Sequence, residues 1–132
     1  MMPNNKIKVK TELLEGIRDL CENNRDVFLV SLCTTDGFSI KSFASKELSA
    51  ESDKLAAMSS TIAALSDSAA KQILKDQFNI TIVETNSGNM LLVRSEYLDL
   101  PCVLTVAART SMSLATARYK TKKLAEIINN IS

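Results

Sequence analysis

The segment over residues 55–70 constrains the fold most, because it is rich in alanine, serine and leucine and carries one charge, Asp67. Two apolar stripes recur along it at the three- and four-residue steps of an α-helix. The larger side chains form the large stripe, which consists of Leu55, Met58, Ile62, Leu65, Ala69 and Ile73. The small stripe beside it consists of Ala56, Ser59, Ala63, Ser66 and Ala70. A helix with so little charge is expected to be covered on more than one side.

The two stripes predict different neighbours for this helix. Large apolar side chains suit packing on a sheet of the same chain, so we expect the large stripe to face the core. A stripe of alanine and serine lets another backbone approach closely, whereas a solvent-facing stripe would carry glutamate and lysine. We therefore expect the small stripe to lie against a second copy of the chain. The alternative is that loops of the same protomer cover it.

The residues before this helix predict a shorter helix and a β-hairpin. Leucine and isoleucine recur at helical spacing over residues 11–24, with acidic residues on the other side. A β-branched and aromatic run over 27–33 has the composition of a strand. Asp36-Gly37 tolerates the positive φ angles of a tight turn, and residues 38–43 then alternate apolar with polar. The second strand of this hairpin is expected to have one exposed face.

The central helix is predicted to begin at Ser52 or Asp53 and to end near Leu74 or Lys75. Three strands follow in the prediction, over 78–85, 89–94 and 103–108. The third is apolar on both faces and is therefore expected at the centre of the sheet. Residues 97–101 predict an irregular connection, and a last helix begins after Thr110 or Ser111. The fold class is a five-stranded antiparallel α/β (α+β) sandwich with three helices, in the order α-β-β-α-β-β-β-α.

The strand over residues 78–85 is expected to be an edge that meets a second copy. It contains no proline and no lysine, and Glu84 is its one charged guard. The alternative is an edge covered by a loop. We predict a two-fold homodimer in which both the central helix and this strand meet their own copies. The expected interface residues are Ala56, Ser59, Ala63, Ser66, Ala70, Phe78, Ile80 and Ile82.

Missing residue types exclude most catalytic apparatus. The chain has no histidine and three glycines, so it lacks the residues for histidine-based triads, for histidine zinc-binding helices and for the glycine-rich nucleotide-binding motifs. Ser31, Cys33 and Cys102 are the plausible nucleophiles, and no base can be named for them. We expect no catalytic residue, no cofactor and no metal site.

The cysteines and the apolar runs indicate the compartment. Three cysteines without C-x-x-C spacing are typical of small buried hydrophobes in a reducing cytoplasm. No apolar run reaches the ~20 residues that a membrane span needs. We expect a flexible tail over residues 1–10 and a single domain over residues 11–131.

Charge is concentrated near the C-terminus. Residues 100–132 contain five basic residues and one acidic residue, with Arg118, Lys120, Lys122 and Lys123 close together. Aromatic residues are 5% of the chain, too few for a base-stacking surface. We interpret these charges as a solvated helix face and expect no nucleic-acid partner.

The order of elements resembles the roadblock/dynein light chain family, as do two local sequences, Thr35-Asp36-Gly37-Phe38-Ser39-Ile40 and Leu114-Ala115-Thr116-Ala117-Arg118. The resemblance covers residues 11–130. The additional first helix and the length look closer to prokaryotic members, including the MglB-type regulators of Ras-like GTPases. Roadblock proteins often have a glycine early in the last helix, where this chain has Ser113-Leu114-Ala115.

The resemblance implies a homodimer with one ten-stranded sheet, joined through residues 55–73 and 78–83. It further implies a non-catalytic regulator that binds a small Ras-like GTPase and modulates its GTP hydrolysis or switching. The nominal candidates for an arginine supplied to the GTPase are Arg25, Arg94, Arg109 and Arg118. The first alternative is a dimeric structural adaptor that does not affect hydrolysis. The second is a small-ligand sensor, for which the sequence offers few polar groups to line a cavity.

Overall fold

The computed structural model describes residues 7–45 and 51–132, and within them three helices and five strands follow the predicted order. The elements are α1 (Thr11–Asn23), β1 (Val27–Thr34), β2 (Ser39–Ala44), α2 (Ser52–Ala69), β3 (Ile80–Glu84), β4 (Gly88–Tyr97), β5 (Leu100–Arg109) and α3 (Leu114–Asn129). One π-helical turn, Ala70–Leu74, extends α2. The predicted α-β-β-α-β-β-β-α architecture is therefore confirmed.

The five strands form one antiparallel sheet in the order β2-β1-β5-β4-β3. The central position of β5 confirms the sequence prediction, and seven consecutive residues of this strand are buried. β2 and β3 are the two edges, because each has a strand neighbour on one side only. Helices α1 and α3 cover one face of the sheet, where the main apolar cluster lies. Helix α2 covers part of the other face, over a second and smaller cluster.

Helix α2 crosses the sheet from β1 to β3, and three close contacts trace its path. The Cys33 thiol of β1 lies 3.7 Å from the Ala56 carbonyl oxygen. On β5 and β3, Thr105 Oγ1 donates to Ser59 Oγ at 3.0 Å and Thr81 Oγ1 donates to Ser66 Oγ at 2.6 Å. Hydroxyl-to-hydroxyl contacts of this kind require the helix backbone to lie close to the sheet.

These contacts reverse the predicted roles of the two stripes. Ala56, Ser59 and Ala63 are 0%, 1% and 6% exposed because they pack on the protomer's own sheet. The sheet face below them carries the hydroxyls of Thr105 and Thr81 beside the apolar Leu92 and Val103. Large helix side chains at these positions would hold α2 away from those hydroxyls. The expectation that the large stripe faces the core is therefore wrong for Met58, Leu65 and Ile73, whereas Ile62 is half-buried and packs against the second cluster. Ala56, Ser59 and Ala63 are also unavailable to a second copy in this fold, which corrects that part of the expected interface.

The β4–β5 connection also differs from the prediction. Both strands extend to a two-residue turn at Leu98 and Asp99, whose φ angles are 51° and 67°. Positive φ at two consecutive residues is typical of a type I′ hairpin, which Asn-Gly usually forms, so Leu98-Asp99 is an unusual sequence for this turn. Pro101 lies one residue outside the last β1–β5 pair, which joins Thr34 to Cys102.

The packed domain begins earlier than residue 11. Ile7 and Val9 pack against the main cluster, and the Lys10 amide donates to the hydroxyl of the fully buried Tyr97 at 2.8 Å. The same hydroxyl donates to the Lys8 carbonyl oxygen. Residues 7–10 are therefore part of the domain, and the rest of the predicted tail lies outside the described residues. Among the described helices, none has the length and apolarity needed to cross a bilayer.

The close packing of α2 predicts a size limit at Ser59. We expect Ser59→Leu to lower the free energy of unfolding by about 2–3 kcal/mol, because the larger side chain overpacks the helix–sheet contact and removes the bond to Thr105. Ala64→Leu, on an exposed position of the same helix, should change it by less than about 0.5 kcal/mol. Urea unfolding followed by circular dichroism, at one protein concentration, compares the two. Equal stability of the two variants would contradict this packing.

Candidate self-association surface

The large stripe of α2 is exposed. Met58, Leu65 and Ile73 are 61%, 66% and 76% exposed, and Leu74 continues the surface at 73%. The one charge within residues 55–70, Asp67, lies on the flank of α2 that also carries Ser60 and Ala64. There the Lys71 ammonium hydrogen-bonds to it at 2.8 Å and holds the pKa of that carboxyl below its usual value. The stripe is therefore a continuous apolar surface of the kind that marks an interaction site.

A cleft of about 520 Å³ runs beside the large stripe, over the part of the sheet that α2 leaves uncovered. Leu55 and Met58 form its helix wall, and Val83, Met90 and Ala107 of three neighbouring strands line its floor. Polar residues lie mainly at its ends, including Glu51, Lys54 and Thr85. The cleft is thus a mostly apolar concavity, which suits apolar side chains from another molecule.

The edge strand β3 borders the same cleft. Val83 is 39% exposed and belongs to both the edge and the cleft floor. No lysine or proline guards β3, whereas the opposite edge, β2, carries the exposed Lys41 within the strand. A lysine within an edge strand discourages pairing with another chain. β3 is therefore the edge better suited to accept a further strand.

The remaining predicted interface residues lie close to this surface but contribute to it unequally. Ser66 and Ala70 are half-buried near the C-terminal end of α2. Phe78 precedes β3 and is buried in the cluster beneath α2. Ile80 and Ile82 are half-buried against the main cluster, on the face covered by α1 and α3. The side chains of β3 that face the cleft side are instead Thr81 and Val83.

Sequence reasoning missed the most exposed residues of this surface, namely Met58, Leu65, Ile73, Leu74 and Val83. A signal for them was present in the strands. Ser31 and Thr105 are register partners, and with Thr81 they place small hydroxyl residues on this face, beside the apolar Leu92 and Val103. Such a face requires a helix with small residues against it, which leaves the large stripe outside.

The candidate nucleophiles are not activated. Burial raises the pKa of the Cys33 thiol to about 11 and that of Cys102 to about 12, so both are protonated at neutral pH. Ser31 is 1% exposed, and its hydroxyl has no hydrogen-bond partner within the described residues. Residues 7–45 and 51–132 contain no group of three or more side chains placed to hold a metal ion. The surface described above offers binding, and no reacting group lies on it.

Solved structures with the same fold are found, although no protein-family model matches the chain and no curated protein matches it either. Myxococcus xanthus MglB is 20% identical and superimposes with a TM-score of 0.78, over 92% of this chain and 95% of that one. An MglB with a tetrameric arrangement gives 15% identity and a TM-score of 0.75, over 95% and 93%. A Roadblock/LC7 domain from Streptomyces avermitilis gives 19% and 0.71, over 83% and 88%. The chain therefore has the roadblock fold, as the resemblance implied.

Proposed function

We propose that this chain forms a homodimer through the large stripe of α2 and the edge strand β3. A two-fold axis beside β3 would pair this strand with its own copy and continue the sheet to ten strands. The large stripe of one protomer would then cover the cleft beside the same stripe of the other. The observation that carries the proposal is the exposure of Met58, Leu65 and Ile73 next to a sheet edge whose one charged residue is Glu84.

Magnitudes favour association through this surface. Full burial of one large apolar side chain contributes roughly 1.5–3 kcal/mol. Four large side chains would be buried in each protomer, namely Met58, Leu65, Ile73 and Leu74. The free energy gained by burying all eight exceeds the lower end of the ~4–15 kcal/mol cost of association. Backbone hydrogen bonds between the two β3 strands would add to this and fix the register. In this arrangement Ile80 and Ile82 contribute through their backbone groups, and Val83 contributes through its side chain.

The dimer is proposed to bind a small Ras-like GTPase and to modulate its GTP hydrolysis or switching. Two observations support this function: the fold is shared with MglB, and the sequence resembles the MglB-type regulators of such GTPases. A regulator that repositions the GTPase's own residues needs no reacting group of its own. The free cysteines, of which two are buried, fit a location in the reducing cytoplasm.

Two of the four candidate arginines, Arg94 and Arg109, are poorly placed for donation to the GTPase, whereas Arg25 and Arg118 are exposed. Arg94 donates a hydrogen bond from Nη1 to Gln77 Oε1 at 2.8 Å. Arg109 lies over the ring of Phe28, 5.2 Å from its centroid. Both side chains are thus engaged within the protomer. The alternative function is a dimeric structural adaptor, which would use the same self-association surface and leave hydrolysis unchanged.

Leu65→Glu tests the dimer. The added carboxylate would be buried without a partner at the middle of the interface, so we expect the dissociation constant to rise about 100-fold or more. Sedimentation velocity over a range of protein concentrations should then show a folded monomer. Ala64→Glu is the matched control, since it adds the same charge one residue away on the other flank of α2.

The two variants separate the dimer from general effects of charge. The Ala64→Glu protein should retain the mass of the wild type, and far-ultraviolet circular dichroism should show that both variants are folded. Dimers of unchanged affinity in the Leu65→Glu protein would refute the proposed interface.

Regulation and scaffolding differ in their effect on hydrolysis. We expect affinity capture with the wild-type protein to recover a small Ras-like GTPase from GTP- or GDP-loaded lysate of the source cells. The purified GTPase, loaded with GTP, should then hydrolyse or exchange its nucleotide at a changed rate when the dimer is added. Binding with unchanged rates would favour the adaptor. Recovery of no GTPase in either nucleotide state would remove the regulator.

A further inference from the structure

The sheet face opposite α2 carries two neighbouring helices of opposite charge. Helix α1 has four carboxylates and one arginine, whereas α3 has four basic side chains and one carboxylate. The two helices are in contact, and Gly16 permits this because a Cβ there would lie 3.1 Å from Leu124 Cδ1. Charge on this face is therefore segregated into an acidic strip and a basic strip, each about one helix wide.

A groove of about 310 Å³ lies between the two strips. Its α3 wall carries Tyr119 and Ile127, which are 63% and 43% exposed, together with Lys120 and Lys123. On the α1 side, Asp19 is the one carboxylate that lines the groove. An exposed aromatic and an exposed aliphatic side chain beside two lysines have the composition of a protein-binding surface.

Within the part of the chain that the structure describes, neither lysine of the groove forms an ion pair with a carboxylate. Lys123 Nζ lies 5.8 Å from the centroid of the Tyr119 ring. Within residues 7–45 and 51–132, the only ion pair joins Lys71 to Asp67, far from this groove along the chain. Both ammonium groups are therefore available to a ligand, and Tyr119 is already positioned beside one of them.

We propose that this groove binds a narrow acidic segment of a partner protein, in which an apolar side chain is flanked by aspartate or glutamate. The apolar side chain would pack on Tyr119 and Ile127, and the flanking carboxylates would pair with Lys120 and Lys123. The net positive charge of the α3 wall selects acidic over basic segments. This site lies on the face opposite α2, so it does not depend on the proposed dimer.

Charge segregation is what favours a narrow segment over a broad anionic surface. A membrane or a nucleic-acid duplex that reached the lysines of α3 would also face the carboxylates of α1, within about one Debye length. A peptide that follows the groove meets Lys120 and Lys123 and one lining carboxylate, Asp19, rather than all four carboxylates of α1. The proposed ligand class therefore follows from the width of the basic strip.

Nuclear magnetic resonance titration of the full-length protein tests the groove. The probe is a capped pentapeptide with leucine between two pairs of glutamates, compared with the peptide that has lysines in their place. We expect the acidic peptide to bind with a dissociation constant of about 1 mM. Its binding should shift the amide signals of Asp19, Tyr119, Lys120 and Ile127. The basic peptide should leave these signals unchanged.

Two double variants of equal charge locate the binding. Lys120→Glu with Lys123→Glu should weaken binding about 10-fold or more, whereas Arg118→Glu with Lys122→Glu should weaken it about 2-fold at most. Lys122 is the matched position, because it lines a different cleft on the other flank of α3. Equal weakening in both variants would overturn the proposal in favour of diffuse attraction.

Two further results would also overturn it. One is the absence of shifts up to about 5 mM acidic peptide. The other concerns phosphatidylcholine vesicles that contain about one third phosphatidylserine. If the protein sediments with these vesicles and Lys120→Glu with Lys123→Glu abolishes that binding, the groove serves a membrane surface.

Discussion

The close approach of α2 to the sheet, through the hydroxyl contacts of Ser59 and Ser66, is the constraint on which the rest of the structure depends. Thr105 and Thr81 reach hydroxyl partners on the helix at 3.0 Å and 2.6 Å, which large helix side chains would prevent. Ala56, Ser59 and Ala63 fill the space between the two layers, and the half-buried Ile62 packs against the same cluster. The large apolar residues of α2 are consequently displaced from the core to the protein surface, where they remain exposed in the protomer.

That displacement links the packing of the protomer to its proposed function. The large stripe, the cleft of about 520 Å³ and the edge strand β3 adjoin one another, so a single two-fold contact would cover all three. The face with α1 and α3 stays outside this contact. A dimer of this kind has two separate surfaces for partners, which suits a protein that acts by binding and carries no activated nucleophile among Ser31, Cys33 and Cys102.

The sequence was sufficient to predict what depends on local chemistry. Helical spacing, the Asp36-Gly37 turn and the two-sided apolarity of β5 predicted the order of elements and the central strand. Periodicity identifies both stripes of α2 but not their directions, because direction depends on the strand residues that α2 meets, such as Thr105. The sequence predicted a connection over residues 97–101 but not that it is a two-residue turn at Leu98 and Asp99, because strand pairing on both sides imposes the positive φ angles of that turn.

Amide hydrogen exchange of residues 80–84, measured over a range of protein concentrations, tests most directly whether the exposed stripe and β3 meet a second copy. Pairing of β3 with its copy predicts slow exchange at high concentration and faster exchange on dilution, with the amides of β5 unchanged. Exchange in β3 that is independent of concentration, in a protein whose α2 stripe stays exposed, would contradict the account.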